Sequence, residues 1–176
     1  MSFDGAKHTA HRALLTRLLT PRRLNENRDY LAGLADRMID RFIGNGRCEV
    51  HTEFGHATAT YAISDLMGIP EGDRAELLTL LGAPPSQIGG DAMHKIGPDP
   101  LVFLEERFLG YLRERQHHPA ADLMTELVQS RFADGSTADI VALARLARFL
   151  FGAGQDTTSR LISMAVLILG ETPELQ

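Results

Sequence analysis

An all-α fold, with helices bundled or crossing around one long central helix, is what this sequence predicts. Three observations carry that expectation. Apolar residues recur at helical spacing in one segment after another, as at Leu31, Leu34, Ala35, Met38, Ile39, Phe42 and Ile43, an i, i+3, i+4, i+7 stripe. Alternation of the strand type is almost absent. The stretch from Thr137 to Leu169 reads as a single helix, about 50 Å long at about 1.5 Å per residue. Its first part, Ile140 to Phe151, is apolar nearly all round, with only Arg145 and Arg148 interrupting, and a helix of that kind belongs inside a protein. At 176 residues the whole chain, 1–176, is expected to be one helical domain with a sizeable core.

The elements follow in order. Ala6 to Leu19 reads as a helix ended by Thr20-Pro21, since proline cannot continue the hydrogen-bond ladder. Thr20 is placed to cap a short new turn with Pro21 in its first position. The stripe from Leu31 to Ile43 stops at Gly44-Asn45-Gly46, as a helix does when glycine follows its last periodic residue. Phe54 to Met67 is a further helix closed by Gly68-Ile69-Pro70, and Glu71 to Leu81 a short one. Gly82 to Pro100 holds four glycines and four prolines with little periodicity, and loops of this length are usually functional lids or disordered. Helices then run from Leu101 to Gln116 and from Asp122 to Phe132. Asp134-Gly135-Ser136 is a turn, with Ser136 or Thr137 as the candidate cap of the central helix. Glu171-Thr172-Pro173-Glu174 would open one more helix where the chain stops at Gln176.

Composition narrows the function. A 44% apolar content and a net charge of −5 describe a soluble globular protein and argue against a nucleic-acid partner, although the first 25 residues are basic. No secretory leader pattern opens the chain. No apolar run is long enough to span a bilayer, because Arg145, Arg148, Asp156 and Arg160 cut the most hydrophobic stretch. The expectation is a cytoplasmic protein with no membrane partner. A single Cys48 excludes internal disulfides and cysteine-rich metal sites. The seven histidines show no metal-ligand spacing, and Cys48 sits in a loop context that suits an inert thiol.

Two constellations stand out. Gly152-Ala153-Gly154-Gln155-Asp156-Thr157-Thr158 interrupts the central helix with glycines, each of which costs about 0.5–1 kcal/mol relative to alanine. One reading is close helix packing at the glycines with Asp156 or Thr157 capping a second helix. The other is a widened groove in which a flat ligand lies against Ala153 and Gly154. Phe149, Leu150 and Ala153 would then shape a pocket, while Asp156 and Thr157 aim a carboxylate and a hydroxyl at the reacting centre. A hydroxyl beside a buried carboxylate is what a proton relay requires. The second constellation is His8 with Arg12, four apart on one helical face. It reads as a solvated basic face, as a clamp for ligand carboxylates, or as a contact to DNA phosphates supported by Arg17, Arg22 and Arg23.

Three collinear stretches resemble bacterial cytochrome P450, the haem-thiolate monooxygenases. His8-Thr9-Ala10-His11-Arg12 followed by Leu19-Thr20-Pro21-Arg22-Arg23 resembles their helix C and the turn after it. Leu66-Met67-Gly68-Ile69-Pro70 resembles the end of helix E, and Ala153-Gly154-Gln155-Asp156-Thr157-Thr158 matches the helix I signature. The resemblance implies a partial P450 fold running from helix C to the start of helix J, with Gly82–Pro100 as a substrate lid. It implies haem, with His8 and Arg12 holding its propionates and Ala153, Gly154 and Thr157 lying against it. It implies that Asp156 and Thr157 activate oxygen, and that O2, a small organic substrate and a ferredoxin-like or flavoprotein electron donor are the partners. Arg17, Arg22 and Arg23 would lie on the donor's docking side.

The family's Glu-x-x-Arg pair and its iron-ligating cysteine belong further on than Gln176, and Asp4-Gly5-Ala6 stands where Asp-Pro-Pro is usual. The thiolate favours O–O cleavage, so the chain alone is expected to be inactive, to bind haem weakly or not at all, and to self-associate through its uncovered central helix. The rival from another class is a non-enzymatic helical regulator or scaffold. A DNA-binding regulator would show salt-dependent DNA affinity that weakens on loss of Arg22 and Arg23.

Overall fold

Asp139 starts the longest element. Its carboxylate accepts from the backbone N–H of Ala142, 3.2 Å away, and caps the central helix. The expected cap at Ser136 or Thr137 is displaced because Asp134 engages Ser136 instead, taking both its N–H and its hydroxyl at 2.9 and 2.6 Å. Gly135, at φ +83°, lets that turn close.

The computed structural model describes residues 4–18, 20–82 and 100–176. The lid expected between Gly82 and Pro100 therefore lies outside the described residues, as do the side chains of Arg17 and Arg23. The helices are α1 (Gly5–Leu18), α2 (Pro21–Glu26), α3 (Arg28–Asp40), α4 (Ala57–Met67), α5 (Glu71–Gly82), α6 (Pro100–His117), α7 (Leu123–Gln129) and α8 (Ile140–Glu171). No strand occurs among the described residues.

The helix expected over Phe54–Met67 is in fact two elements. A wide, π-type turn over Val50–His56 leads directly into α4. Glu49 shapes its start by accepting from the N–H groups of His51 and Thr52 at 3.3 and 2.7 Å. The Thr52 bonds hold the Glu49 carboxyl below the usual carboxylate range. Gly68, at φ +75°, ends α4 and passes the chain to Ile69.

Helix α8 is the axis. It packs against α6, α4 and the wide turn. Its first half supplies Leu143, Ala144, Ala147 and Phe151 to the main core, where Phe151 meets Phe108 of α6 with ring centroids 5.5 Å apart. Arg115 of α6 ties this core's edge, donating to Asp122 at 2.6 Å and to the Gly68 carbonyl at 3.1 Å. A smaller cluster of Leu34, Met38 and Ala57 joins α3 to α4. The second half of α8 is bare, with Leu161, Met164, Leu167 and Ile168 exposed. No described helix is long and apolar enough to cross a membrane.

Candidate functional site

Helical spacing puts Phe149, Ala153, Asp156, Thr157 and Arg160 on one side of α8, and that side is open. Phe149 is 61% exposed, and Ala153, Asp156 and Thr157 are exposed beside it. The Thr157 hydroxyl donates to the Ala153 carbonyl four residues back, at 2.6 Å. With its only hydrogen engaged there, Thr157 Oγ1 turns lone pairs, not a proton, toward the open side.

Two expectations need correction. Asp156 is not a buried carboxylate: it is exposed and pairs with Arg160 at 3.0 Å. The Asp-x-x-x-Arg spacing that produces this i,i+4 pair was visible in the sequence. Leu150 is not on the open face either. One residue round from Phe149, it is 9% exposed and belongs to the main core. The two glycines also differ. A Cβ on Gly154 would lie 3.1 Å from Ile63 Cδ1, so Gly154 is a close packing contact with α4, whereas a Cβ on Gly152 would meet nothing within 4 Å.

Gly154 and Thr158 also line a cavity of about 490 Å³ whose other walls include Tyr30, Leu31, Ala59 and Ala62. Ala153 is not part of it, so the two residues expected to share one groove face different spaces. The small residues Ala59 and Ala62, three apart on α4, are the sequence signal that would have located the cavity. The Tyr30 hydroxyl is buried there without a partner.

On α1, His8 and Arg12 are exposed, and neither side chain has a partner among the described residues. The opposite face of α1 carries Leu14 and His11 into the core. His11 sets its ring edge on Phe132 at 5.2 Å and bonds the Lys7 carbonyl at 2.8 Å. Arg22 is engaged with Glu26 at 2.6 Å. Among the described residues no group of three metal-binding side chains occurs, and Cys48 is a free thiol, partly buried.

A polar contact that periodicity did not reveal joins the wide turn to α8. His51 Nδ1 lies 3.1 Å from Ser163 Oγ and 3.3 Å from Ser159 Oγ. His56, in the same turn, is buried with its Nε2 unpartnered, and burial pushes its pKa down.

No family model matches the chain. Among curated proteins it is similar to the biotin biosynthesis cytochrome P450 of Bacillus subtilis, at 26% identity over 95% of this chain and 42% of that protein. It is likewise similar to cytochrome P450 CYP107DY1 of Priestia megaterium, at 26% identity over 99% of this chain and 42% of that protein. The substrate-free structure of CYP150A6 from Mycobacterium marinum superposes with a TM-score of 0.81 at 37% identity, over 99% of this chain and 39% of that one. The chain thus spans less than half the length of the relatives it matches. Likeness in sequence and in fold runs through nearly every residue present, and on that ground the chain is a partial region of a cytochrome P450.

Proposed function

We propose that this region forms the oxygen-side wall of a haem-dependent monooxygenase that inserts one atom of O2 into a small organic substrate. The observation that carries the reading is the open side of α8, where an alanine, a lone-pair-presenting threonine and a weakly held carboxylate sit together. Its relatives are cytochrome P450s, and the cofactor of that family is haem.

The residues present fit such a group. A flat ring needs a wall without bulk, which Ala153 supplies, and an edge with hydrogen-bond donors for its two carboxylates, which His8 and Arg12 supply from α1, a helix packed on α8. Arg12 has its whole donor fork available for a bidentate grip. Haem, when bound, supplies the iron at which O2 is reduced. The chain's own residues do the rest. Phe149 gives the substrate an apolar neighbour. Thr157 Oγ1 accepts a hydrogen bond from whatever protonated group or water sits over Ala153. Asp156 exchanges its exposed contact with Arg160 for that water and passes a proton inward, because a surface ion pair is worth only about 0–1 kcal/mol and is readily broken. A ferredoxin-like or flavoprotein donor supplies electrons, with the exposed face of α1 as its approach.

A haem titration of the 176-residue chain tests the reading. The expected complex is weak, with a carbonyl adduct that lacks the red-shifted Soret band of a thiolate. Arg12→Ala weakens it about tenfold, the scale of one charge-assisted bond, and Ala153→Trp abolishes it. Haem affinity indifferent to both substitutions would overturn the assignment.

A further inference from the structure

The wide turn Val50–His56 meets α8 just past the Asp156–Thr157 pair, and it does so at backbone distance. Gly55 is buried, and a Cβ there would lie 2.9 Å from the Ser159 carbonyl oxygen and 3.2 Å from Ser163 Oγ. Only glycine allows this approach, because the nearest obstacle is main chain and cannot rotate aside. Around it sits a polar lock. Ser163 Oγ donates its single hydrogen to the Ser159 carbonyl at 2.9 Å. At 3.1 Å from His51 Nδ1, that same oxygen can then only accept. A neutral imidazole with its proton on Nδ1 matches that acceptor, and Ser159 Oγ is also in reach at 3.3 Å. The main chain at His51 is held in turn by the Glu49 carboxylate, and the Glu49 N–H donates back to Glu53 Oε2 at 2.7 Å.

Little else grips this part of α8. From Leu161 onward most of its large side chains are exposed, Ile162 being half-buried, whereas the first half is fixed by core packing. The orientation of the helix at Thr157 is thus set on one side by packing that runs from the core to Gly154 against Ile63 and on the other by this contact. We propose that His51, in its Nδ1–H form, and Gly55 clamp α8 past Thr157 and so orient the Asp156–Thr157 pair. His51 is a positioning residue here: it reaches the pair through Ser159 and Ser163. Its importance for oxygen chemistry rests on the function proposed above, but the clamp itself does not.

The test uses the 176-residue chain without haem, so its failure and that of the haem titration are separate results. Imidazole ¹⁵N spectra should show His51 protonated at Nδ1 in the neutral form, and Ser163→Ala should abolish that preference. Hydrogen exchange gives the second readout. His51→Ala should raise amide exchange about tenfold over 159–163, as expected for loss of one to two net hydrogen bonds, while 143–151 changes less than twofold. His51→Asn, whose amide nitrogen can occupy the Nδ1 position, should restore protection. Gly55→Ala should mimic His51→Ala. A ring protonated at Nε2, equal exchange changes in both segments, or an Asn variant no better than Ala would overturn the proposal.

Discussion

The two halves of α8 are about equally apolar and are treated oppositely by the fold. Up to Phe151 the helix is a core helix: Ala144, Ala147 and Phe151 are all 0% exposed under α6 and α4. From Leu161 the same helix carries Leu161 at 70%, Met164 at 53% and Leu167 at 50% exposure. Composition alone cannot tell the halves apart, since both exceed what a surface helix needs. The difference lies in the neighbours. Helices α4 and α6 and the wide turn reach only about the first three-quarters of its length, as far as Ser163. Apolarity therefore specifies that a face is covered in the working protein, and says nothing about which segment covers it.

The largest effect separates the halves by stability. Phe151→Ala removes a fully buried ring that stacks obliquely on Phe108, and cavity formation of this kind costs about 3–5 kcal/mol. Leu161→Ala, at 70% exposure, should change stability by less than about 0.5 kcal/mol. Urea midpoints of the two variants check the contrast. Equal losses would mean that the second half is covered in solution.

Cover by a second copy is the form that such an outcome would take, and it leads to the next expectation. A contiguous exposed apolar face drives association, so the chain should show concentration-dependent sedimentation at micromolar levels. The double change Leu161→Lys with Leu167→Lys should return it to monomer while leaving the unfolding midpoint nearly unchanged. An equally associated lysine variant would place the sticky surface elsewhere.

What the sequence disclosed follows the range of the interactions involved. The α3 stripe, the Gly68 stop and the length of α8 depend on nearest neighbours and were legible, whereas the end expected at Gly44-Asn45-Gly46 comes earlier: α3 stops at Asp40, and Gly46 closes a separate 3₁₀ turn over Ile43–Asn45. The wide turn was not, because Val50–His56 is stabilised by Ser159 and Ser163, over a hundred positions away. Gly55 has its reason in α8, whose Ser159 carbonyl a Cβ there would meet at 2.9 Å. At the candidate site, helical spacing sets Phe149, Ala153 and Thr157 on one side of α8. Leu150 was misplaced because adjacent residues in a helix are 100° apart and only the position of α6 decides which of them is buried. The burial assigned to Asp156 failed for a local reason: Arg160, one turn on, draws the carboxylate outward.

That pair gives the smallest and most diagnostic expectation. With side chains 58% and 71% exposed, Asp156 and Arg160 should couple by about 0.3–0.5 kcal/mol in a double-mutant cycle of Asp156→Ala and Arg160→Ala. The coupling should fade in about 1 M salt, where the Debye length falls to about 3 Å. A coupling this weak is what lets Asp156 leave Arg160 for a proton-carrying water. Desolvation would make the pair both stronger and less sensitive to salt. A salt-resistant coupling above about 1.5 kcal/mol would therefore mean that something covers the open side of α8, and the contrast between its two halves would have to be redrawn from Asp156 onward.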